Sequence, residues 1–418
     1  MARPRTTTPK LDVQPSLPHS SFLLSSSPAE SVRLLESECN GALTLTGAPL
    51  ASSSPIVSIE GDEPANSEKL VGMLRGLISE DSIASLRLRL AEVRASVAGV
   101  GSCVGGSGAS TLQVDADKLD REYALNQLDQ IAESQTIERA KYYLERLVKA
   151  LTEVRTSDVN DLNLNRWQEY SDVVTDSLWV LDKRDSSGVH NAGYWGNFIP
   201  QIPNQMMKRY TKKGDWVLDT FLGSGTTLIE AQRLGRNAIG IELQESIADK
   251  ARTFIASEPN AHDTVTKVVV DDSTTVDYAE VLSEHQRRTV QLVVMHPPYH
   301  DIIRFSDDPR DLSNAPTVDG FLEMLGRVVD NASRYLDAGR YLALVIGDKY
   351  SRGEWIPLGF LSMNQVLQRG FSLKSVVIKN FDQTAAKRNQ QKLWRYRALV
   401  GGFYVFKHEY VFIFRKRT

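Results

Sequence analysis

After about residue 160, short runs of β-branched and apolar residues alternate with longer helical stretches. The runs occupy residues 216–219, 238–243, 267–272, 290–295, 341–347, 373–379 and 404–414. The first five are separated by stretches long enough for the crossover helices that parallel strands require. We therefore expect an α/β domain over residues 161–418, with a mostly parallel sheet covered on both faces. The last two runs are separated by a glycine-containing connection, and we expect them to pair antiparallel at the edge of the sheet.

A glycine-rich turn follows the first run. A strand end at Asp219 is followed by the turn Gly223-Ser224-Gly225 and by the start of a helix near Thr226. Glycines let the backbone turn sharply and let a ligand approach without interference from a Cβ atom. Dinucleotide-binding enzymes share such a turn, but their third glycine would fall at Leu228. The turn therefore predicts a ligand other than a pyrophosphate bound over the start of the helix.

Carboxylates end the second and third runs. Glu242 closes the second run beside the glycine turn, where it can accept hydrogen bonds from both hydroxyls of a ribose. The alternative is an ordinary surface carboxylate at a strand end. Asp271 and Asp272 follow the third run, and we prefer Asp272 as the acceptor for an adenine amino group.

Two prolines follow the fourth run directly, in the sequence His296-Pro297-Pro298-Tyr299. Prolines at this point end the hydrogen-bond ladder and fix a stiff, extended exit from a buried strand. The carbonyl of Pro297 and the side chain of His296 would then lie at the edge that carries the glycine turn. Tyr299 offers an aromatic face for stacking. The alternative is a strand-end turn without a functional role.

The glycine turn and the Pro-Pro-Tyr segment together resemble the amino-methyltransferase family, the adenine-N6 and cytosine-N4 DNA methyltransferases. Residues 221–227 are similar to that family's cofactor loop, and residues 296–299 are similar to its catalytic motif. Residues 196–210 are similar to the segment that packs over the methionine part of the cofactor. The resemblance covers about residues 165–418. It implies a Rossmann-like class I methyltransferase fold with a seven-stranded, mostly parallel sheet whose last strand is antiparallel.

The resemblance also implies the cofactor, the substrate and the site residues. The cofactor would be S-adenosyl-L-methionine and the substrate double-stranded DNA, with a cognate restriction endonuclease as a candidate partner. Direct methyl transfer from a sulfonium requires no metal. The catalytic residues would be His296, Pro297, Pro298 and Tyr299. The cofactor-binding residues would be Asn197, Phe198, Asp219, Phe221, Gly223, Ser224, Gly225, Thr226, Glu242 and Asp272.

Position 296 departs from the family, whose members usually carry Asp, Asn or Ser there. A base amine is a poor nucleophile because its lone pair is delocalised into the ring, so the site must accept hydrogen bonds from the amine hydrogens. A neutral histidine can accept one hydrogen bond, whereas a protonated histidine accepts none. We therefore expect activity to fall as the pH drops through the titration of His296. The departure leaves adenine and cytosine open as targets, adenine being the commoner case in the family.

Basic residues are concentrated near the carboxyl end. Residues 374–418 contain eleven Lys and Arg residues and two carboxylates, although the whole chain has a formal net charge of −3. The connection at residues 383–402 mixes cations with amides and aromatic rings, which suits contacts with phosphates and bases. The alternative is a solvated basic hairpin. The expected nucleic-acid-binding residues are Arg304, Lys387, Arg388, Lys392, Trp394, Arg395 and Arg397.

Residues 1–160 divide into four segments. Residues 1–64 are rich in Ser, Thr and Pro, so they have too little apolar surface to fold, and we expect a disordered tail. A helical segment at 65–98, a Gly/Ser linker at 99–114 and a second helical segment at 115–160 follow. Apolar stripes in both helical segments predict packing on the main domain or on a second copy of the chain. Direct contact with DNA is the alternative.

Composition sets the remaining expectations. The two cysteines exclude a disulfide framework and a cysteine-based zinc site. No apolar run has the length of a signal-peptide core or a membrane span, so we expect a cytoplasmic protein. Two other functions stay open: an RNA base-amine methyltransferase, and a catalytically inactive protein that binds cofactor and DNA.

Overall fold

All seven predicted strands are present in the computed structural model of the chain, which describes residues 64–99, 121–181, 183–190, 196–380 and 391–418. Residues 1–63 of the predicted tail, 100–114 of the predicted linker and 115–120 of the second helical segment lie outside the described residues. The strands are β1 Leu178–Trp179, β2 Trp216–Asp219, β3 Asn237–Glu242, β4 Thr266–Val270, β5 Val290–Met295, β6 Leu336–Ile346, β7 Lys349–Ser351, β8 Glu354–Ile356, β9 Phe371–Asn380 and β10 His408–Lys416.

The α-helices of the described residues separate most of these strands. They are α1 Pro64–Ile78, α2 Ile83–Gly99, α3 Arg121–Ala132, α4 Ile137–Thr152, α5 Gln201–Tyr210, α6 Thr226–Arg233, α7 Glu245–Ser257, α8 Tyr278–Ser283, α9 Val318–Ser333, α10 Leu358–Leu367 and α11 Gln391–Gly401. The last of these lies in the connection between β9 and β10, where the sequence shows no clear helical stripe. Its exposed apolar side chains include those of Leu399 and Val400. The helix therefore lacks the single apolar face from which a helix is predicted in a sequence.

The strands of the described residues form an eight-stranded sheet in the order β1-β9-β10-β6-β5-β2-β3-β4, and β7 pairs with β8 in a separate hairpin. Strands β2 to β6 are parallel to one another, and β10 is antiparallel to both β6 and β9. The mostly parallel sheet and its reversed last strand are therefore confirmed. The predicted number of seven strands is wrong, because β1 adds a short parallel strand beyond β9. Two residues have no periodicity from which a strand could be predicted.

The placement of the last two strands also differs from expectation. They pair antiparallel, as predicted. However, β10 lies inside the sheet between β9 and β6, and β9 is covered on its outer side by β1. Because β10 is reversed, its first residues lie beside the carboxyl ends of the parallel strands, and its last residues lie at the opposite edge.

Alternate residues of the strands supply two cores, one on each face of the sheet. Leu218 and Val293 face a core that contains Phe321 and side chains of α8, α9 and α10. Val217 and Val294 face the other core, which contains side chains of α5, α6 and α7. A sheet buried on both faces explains why its strands are almost continuously apolar. The strand ends are then where polar side chains collect.

The four helices before residue 153 form a bundle with a core of their own. Leu74, Leu90, Leu128 and Leu144 are fully or almost fully buried in one shared cluster. Helices from both predicted helical segments thus pack mainly on each other. A hydrogen bond from Gln127 to Gln168 joins the bundle to the chain that leads into the sheet. No helix in the described part of the chain is both long and apolar enough to cross a bilayer.

The bundle core gives a direct test of the fold. Leu144 is fully buried, whereas Leu88 is 71% exposed on the neighbouring helix α2. We expect Leu144→Ala to lower the free energy of unfolding by about 2–5 kcal/mol, because it leaves a cavity among packed side chains. Leu88→Ala should change it by less than about 0.5 kcal/mol. Urea denaturation followed by circular dichroism measures both, and equal effects would contradict the packing described.

Candidate active site

The glycine turn after β2 forms a tight bend at the carboxyl edge of the sheet. Gly223 and Gly225 have φ values of 54° and 91°, in the left-handed region that favours glycine. The N–H group of Leu222 donates to the carbonyl of Ile241 (2.9 Å), which ties the turn to β3. Helix α6 begins directly after Gly225. The turn thus leads from the end of β2 directly into the start of a helix.

A segment before α5 holds this turn from the other side. The amide nitrogen of Asn197 donates to Ser224 Oγ (2.7 Å), and the Thr226 hydroxyl donates to Asn197 Oδ1 (2.8 Å). The next residue, Phe198, is 5% exposed, and its ring centroid lies 4.8 Å from that of His296. The structure therefore brings together predicted residues from three separate parts of the sequence.

Glu242 ends β3 beneath the glycine turn. Its two carboxylate oxygens accept the N–H groups of Gly223 (3.0 Å) and Gln244 (2.9 Å). Burial raises the pKa of Glu242 to about 7, the two backbone N–H groups oppose the rise, and the nearby Asp219 and Asp311 add to it. A fixed carboxylate with spare lone pairs beside a glycine turn suits the two hydroxyls of a ribose.

The other predicted carboxylates have different surroundings. Asp219 is fully buried and accepts the N–H of Phe221 (2.9 Å), and burial raises its pKa to about 6. Asp272 is partly buried, and its Oδ1 accepts the N–H of Thr274 (2.8 Å). Asp271 accepts the N–H of Asp272 (2.7 Å). Both aspartates therefore shape the turn after β4, and the preference for Asp272 stays a prediction.

The segment His296-Pro297-Pro298-Tyr299, called the catalytic-type segment from here on, directly follows β5. In the sheet, β5 lies between β2 and β6. His296 is partly buried, with its ring between those of Phe198 and Tyr299. Burial lowers the pKa of His296 to about 4, with the nearby Glu409 opposing this and Lys379 adding to it. The imidazole is therefore neutral at neutral pH and able to accept a hydrogen bond. The loss of activity expected from protonation of His296 therefore belongs near pH 4, and not in the ordinary range of histidine titration.

Tyr299 is held by residues that the sequence did not single out. Its hydroxyl donates to Glu409 Oε2 (2.8 Å) and lies 3.3 Å from His296 Nε2. Its ring packs on Gly347, where a Cβ atom would lie 2.9 Å from Tyr299 Cε2. Glu409 in turn pairs with Lys379 (3.0 Å), and both residues are buried. The signal that could have revealed them is a charged residue next to an otherwise apolar run in β9 and in β10.

The loop after the catalytic-type segment is anchored by a buried lysine. Lys349 Nζ lies 2.9 Å from His300 Nδ1 and also contacts Asp301. His300 Nε2 donates to the carbonyl of Ala315 (2.8 Å), so the beginning and end of the loop are joined. Arg304, predicted to bind nucleic acid, is exposed on this loop and pairs with Asp307 (2.9 Å). An exposed pair of this kind is weak and leaves Arg304 able to change partners.

The basic residues near the carboxyl end do not form one surface. Lys379 is buried against Glu409, and Lys416 donates to the carbonyl of Ser333 (2.7 Å) at the opposite edge of the sheet. The basic residues of 374–418 are therefore spread over separate places, because β10 is reversed, and the predicted loop at 383–402 stays a prediction. Lys387 and Arg388 lie outside the described residues. The predicted residues that the structure does bring together on α11 are Lys392, Trp394, Arg395 and Arg397.

These features define a class of protein. Without β1, the strand order of the sheet, with one reversed strand beside β6, is that of Rossmann-like class I methyltransferases. The glycine turn after β2 and the carboxylate at the end of β3 lie where such a domain binds S-adenosylmethionine.

Parts of the chain are similar to known DNA methyltransferases. A family model described as DNA methylase matches residues 120–253. Type II methyltransferase M.MjaII of Methanocaldococcus jannaschii is 45% identical over 56 residues, which are 13% of this chain and 10% of that protein. M.MthZI of Methanothermobacter thermautotrophicus is 38% identical over 85 residues, 20% and 23% of the two chains. M2.DpnII of Streptococcus pneumoniae is 35% identical over 99 residues, 23% and 34% of the two chains. These matches support the resemblance of the chain to the DNA amino-methyltransferase family.

The extent of these matches is limited. The matched stretches span about a tenth to a third of the length of these relatives. The family model ends before His296, so it includes the glycine turn and Glu242 but not the Pro-Pro-Tyr segment. A methyltransferase of known structure from Pyrococcus furiosus aligns with 55% of this chain and 88% of its own, at 15% identity and a TM-score of 0.35. The fold assignment rests on the strand order instead.

S-adenosylmethionine is the cofactor of this family, and the described residues fit it. The left-handed glycines form the tight turn between β2 and the start of α6, as the cofactor loop requires. Glu242 and Asp272 supply acceptors at two adjacent strand ends, as a ribose and an adenine amino group require. Asn197 and Phe198 close the side nearest to His296.

The raised pKa of Glu242 predicts a pH-dependent cofactor affinity. Above pH 7 the carboxylate accepts hydroxyl hydrogens, whereas protonation below pH 7 removes an acceptor, so affinity should rise between pH 6 and pH 8. Glu242→Gln should weaken binding by about tenfold or more and remove this dependence. Isothermal titration calorimetry with S-adenosylmethionine measures both effects. Glu245→Gln, an exposed change on α7, should behave as the unchanged protein. A dependence that persists in Glu242→Gln would contradict this role.

Proposed function

We propose that this chain transfers a methyl group from S-adenosylmethionine to the exocyclic amino group of a base in double-stranded DNA. The observation that carries the proposal is the position of His296-Pro297-Pro298-Tyr299 at the end of β5, beside the glycine turn that follows β2. Phe198 belongs to the segment that holds the glycine turn, and its ring centroid lies 4.8 Å from that of His296. The catalytic-type segment and the residues proposed to bind the cofactor are therefore neighbours at one edge of the sheet.

The side chains of this space suit an amine acceptor. The bound cofactor supplies an electrophilic methyl group on a sulfonium. Neutral His296 and the carbonyl of Pro297 accept the two amine hydrogens, so that the nitrogen lone pair is directed away from the base ring. Tyr299 supplies an aromatic surface for a base that has been flipped out of the duplex. Pro297 and Pro298 keep this stretch extended and rigid.

The target base is adenine, at N6, or cytosine, at N4. Both present an exocyclic amine with two hydrogens, and histidine at position 296 accepts a hydrogen bond from either. Adenine is the first choice because it is the commoner target in the family. RNA as the methylated polymer and loss of activity are the other outcomes of the test below.

Helix α11 is the proposed contact to DNA. Lys392, Arg395 and Arg397 are exposed, and the Arg397 guanidinium lies 5.2 Å from the centroid of the Trp394 ring. Tyr396 is 65% exposed on the same helix. Exposed cations attract phosphates, and exposed aromatic rings stack on bases. The helix leads through the connection at residues 402–407 to the start of β10, which lies at the edge of the sheet that carries His296.

Sequencing of DNA from expressing cells tests the activity. We expect single-molecule sequencing of plasmid DNA from a methylation-deficient host to show one modified base type in a fixed context. His296→Ala should reduce the modified fraction by about 10²-fold or more, because it removes the acceptor for the amine. His262→Ala, the same change in the turn before β4, should leave the modified fraction unaltered.

Purified protein with tritiated S-adenosylmethionine separates the alternatives. Methyl transfer to duplex DNA and not to RNA of the same sequence supports the proposal. Transfer to RNA alone contradicts the DNA substrate. No transfer to either by a folded, cofactor-binding protein contradicts the activity itself.

Substitutions in α11 test the DNA contact. We expect Arg395→Ala combined with Arg397→Ala to weaken duplex binding by about tenfold and to reduce the salt dependence of binding, because two phosphate contacts are lost. Cofactor affinity should be unchanged. The charge-matched control is Lys250→Ala with Arg327→Ala, which removes two exposed cations from helices that cover the sheet. Fluorescence anisotropy measures duplex binding. Equal losses in both double variants would contradict a contact specific to α11.

A further inference from the structure

A chain of hydrogen bonds links the catalytic-type histidine to two buried charges on neighbouring strands. His296 Nε2 lies 3.3 Å from the Tyr299 hydroxyl, which lies 2.8 Å from Glu409 Oε2. Glu409 Oε1 lies 3.0 Å from Lys379 Nζ. Glu409 and Lys379 are directly opposite each other in the pairing of β10 with β9. The chain therefore runs from the end of β5 into the antiparallel pair of the sheet.

The donor and the acceptor of each hydrogen bond in this chain follow from the number of hydrogens that each side chain carries. Glu409 pairs with an ammonium group, and a carboxylate can only accept. The single hydroxyl hydrogen of Tyr299 therefore goes to Glu409, and burial together with the Glu409 charge raises the pKa of that hydroxyl. The tyrosine oxygen then has only lone pairs to offer to His296. His296 must donate through Nε2–H.

A neutral imidazole has one N–H group, so the second nitrogen of His296 is an acceptor. Within the described part of the chain, Nδ1 of His296 has no hydrogen-bond partner. His300 shows the same principle four residues later, since its Nε2 donates to Ala315 while its Nδ1 faces Lys349. In both residues the surroundings of the ring select one tautomer.

We infer that Glu409 is a positioning residue that acts through Tyr299 to hold His296 as the Nε2–H tautomer, leaving Nδ1 to accept a hydrogen from the target amine. This inference rests on the proposed function, which makes His296 the acceptor. Lys379 completes the arrangement, because its positive charge offsets the attraction of Glu409 for a second proton on the imidazole. The pair thus orients the histidine without charging it.

The tautomer is measurable without any reaction. We expect two-dimensional proton–nitrogen spectra of the full chain, labelled with ¹⁵N-histidine, to show His296 protonated at Nε2 at neutral pH. His296→Asn identifies its signals among those of the seven histidines. Tyr299→Phe keeps the ring packed on Gly347 but removes the hydroxyl, and Glu409→Gln removes the obligate acceptor. Both changes should increase the share of the Nδ1–H tautomer. An Nδ1–H tautomer in the unchanged protein would overturn the inference.

A double-mutant comparison separates positioning from folding. Asparagine at position 296 accepts through a carbonyl oxygen, which has no tautomer to set. Glu409→Gln should therefore reduce kcat by at least about tenfold when residue 296 is histidine, and by much less when it is asparagine. Cofactor affinity should be unaltered in all four proteins. Equal losses of kcat in the two backgrounds would show that Glu409 only stabilises the fold, and would overturn the inference.

Failure of the inference and failure of the proposed function give different results. If His296 carries the proton on Nδ1 while DNA is still methylated, the inference is wrong and the proposed function stands. If His296 is the Nε2–H tautomer, with its proton moved by Glu409→Gln, but no amine is methylated, the positioning by Glu409 is supported and the proposed function is wrong.

Discussion

Two backbone hydrogen bonds, from Gly223 and Gln244 to the carboxylate of Glu242, fix the glycine turn to the end of β3. The Gly223 bond joins the turn after β2 to the adjacent strand β3, and the Gln244 bond fixes the carboxylate that accepts it, so the turn cannot move without breaking this contact. The same turn is held from the opposite side by Asn197, whose neighbour Phe198 contacts His296. The position of the catalytic-type segment relative to the cofactor residues therefore depends on this anchored turn.

Features that follow strand ends could be predicted from the sequence. Each parallel strand is a short apolar run, and the residues that follow it meet their neighbours at one edge of the sheet, because all these strands point the same way. That rule predicts from the sequence that Asp219, Glu242 and His296 lie at one edge of the sheet. The glycine turn and the Pro-Pro-Tyr segment add the resemblance to DNA amino-methyltransferases, which the partial matches support. The roles of the individual residues stay predictions.

Features that depend on distant pairing could not be predicted in this way. Glu409 lies 110 residues after Tyr299, and only the reversal of β10 brings the two together. The same reversal divides the basic residues, which lie close together in sequence, between a buried pair, helix α11 and the opposite edge of the sheet. The helices before residue 153 show the same limit. Their apolar stripes predicted a partner surface, and that surface is mainly the other helices of the bundle.

The pairing of Glu409 with Lys379 carries a further consequence. Side chains of a strand alternate between its two faces, so a shift of β10 by a single residue would place His408 or Tyr410 opposite Lys379 and turn Glu409 to the other face. The sheet would keep its backbone hydrogen bonds, and the residues of the catalytic-type segment would be unchanged. The buried ammonium would nevertheless lose its counterion, and the Tyr299 hydroxyl would be released to donate elsewhere. The protonation pattern at the end of β5 is thus encoded in the alignment of two strands that contribute no residue to the motif.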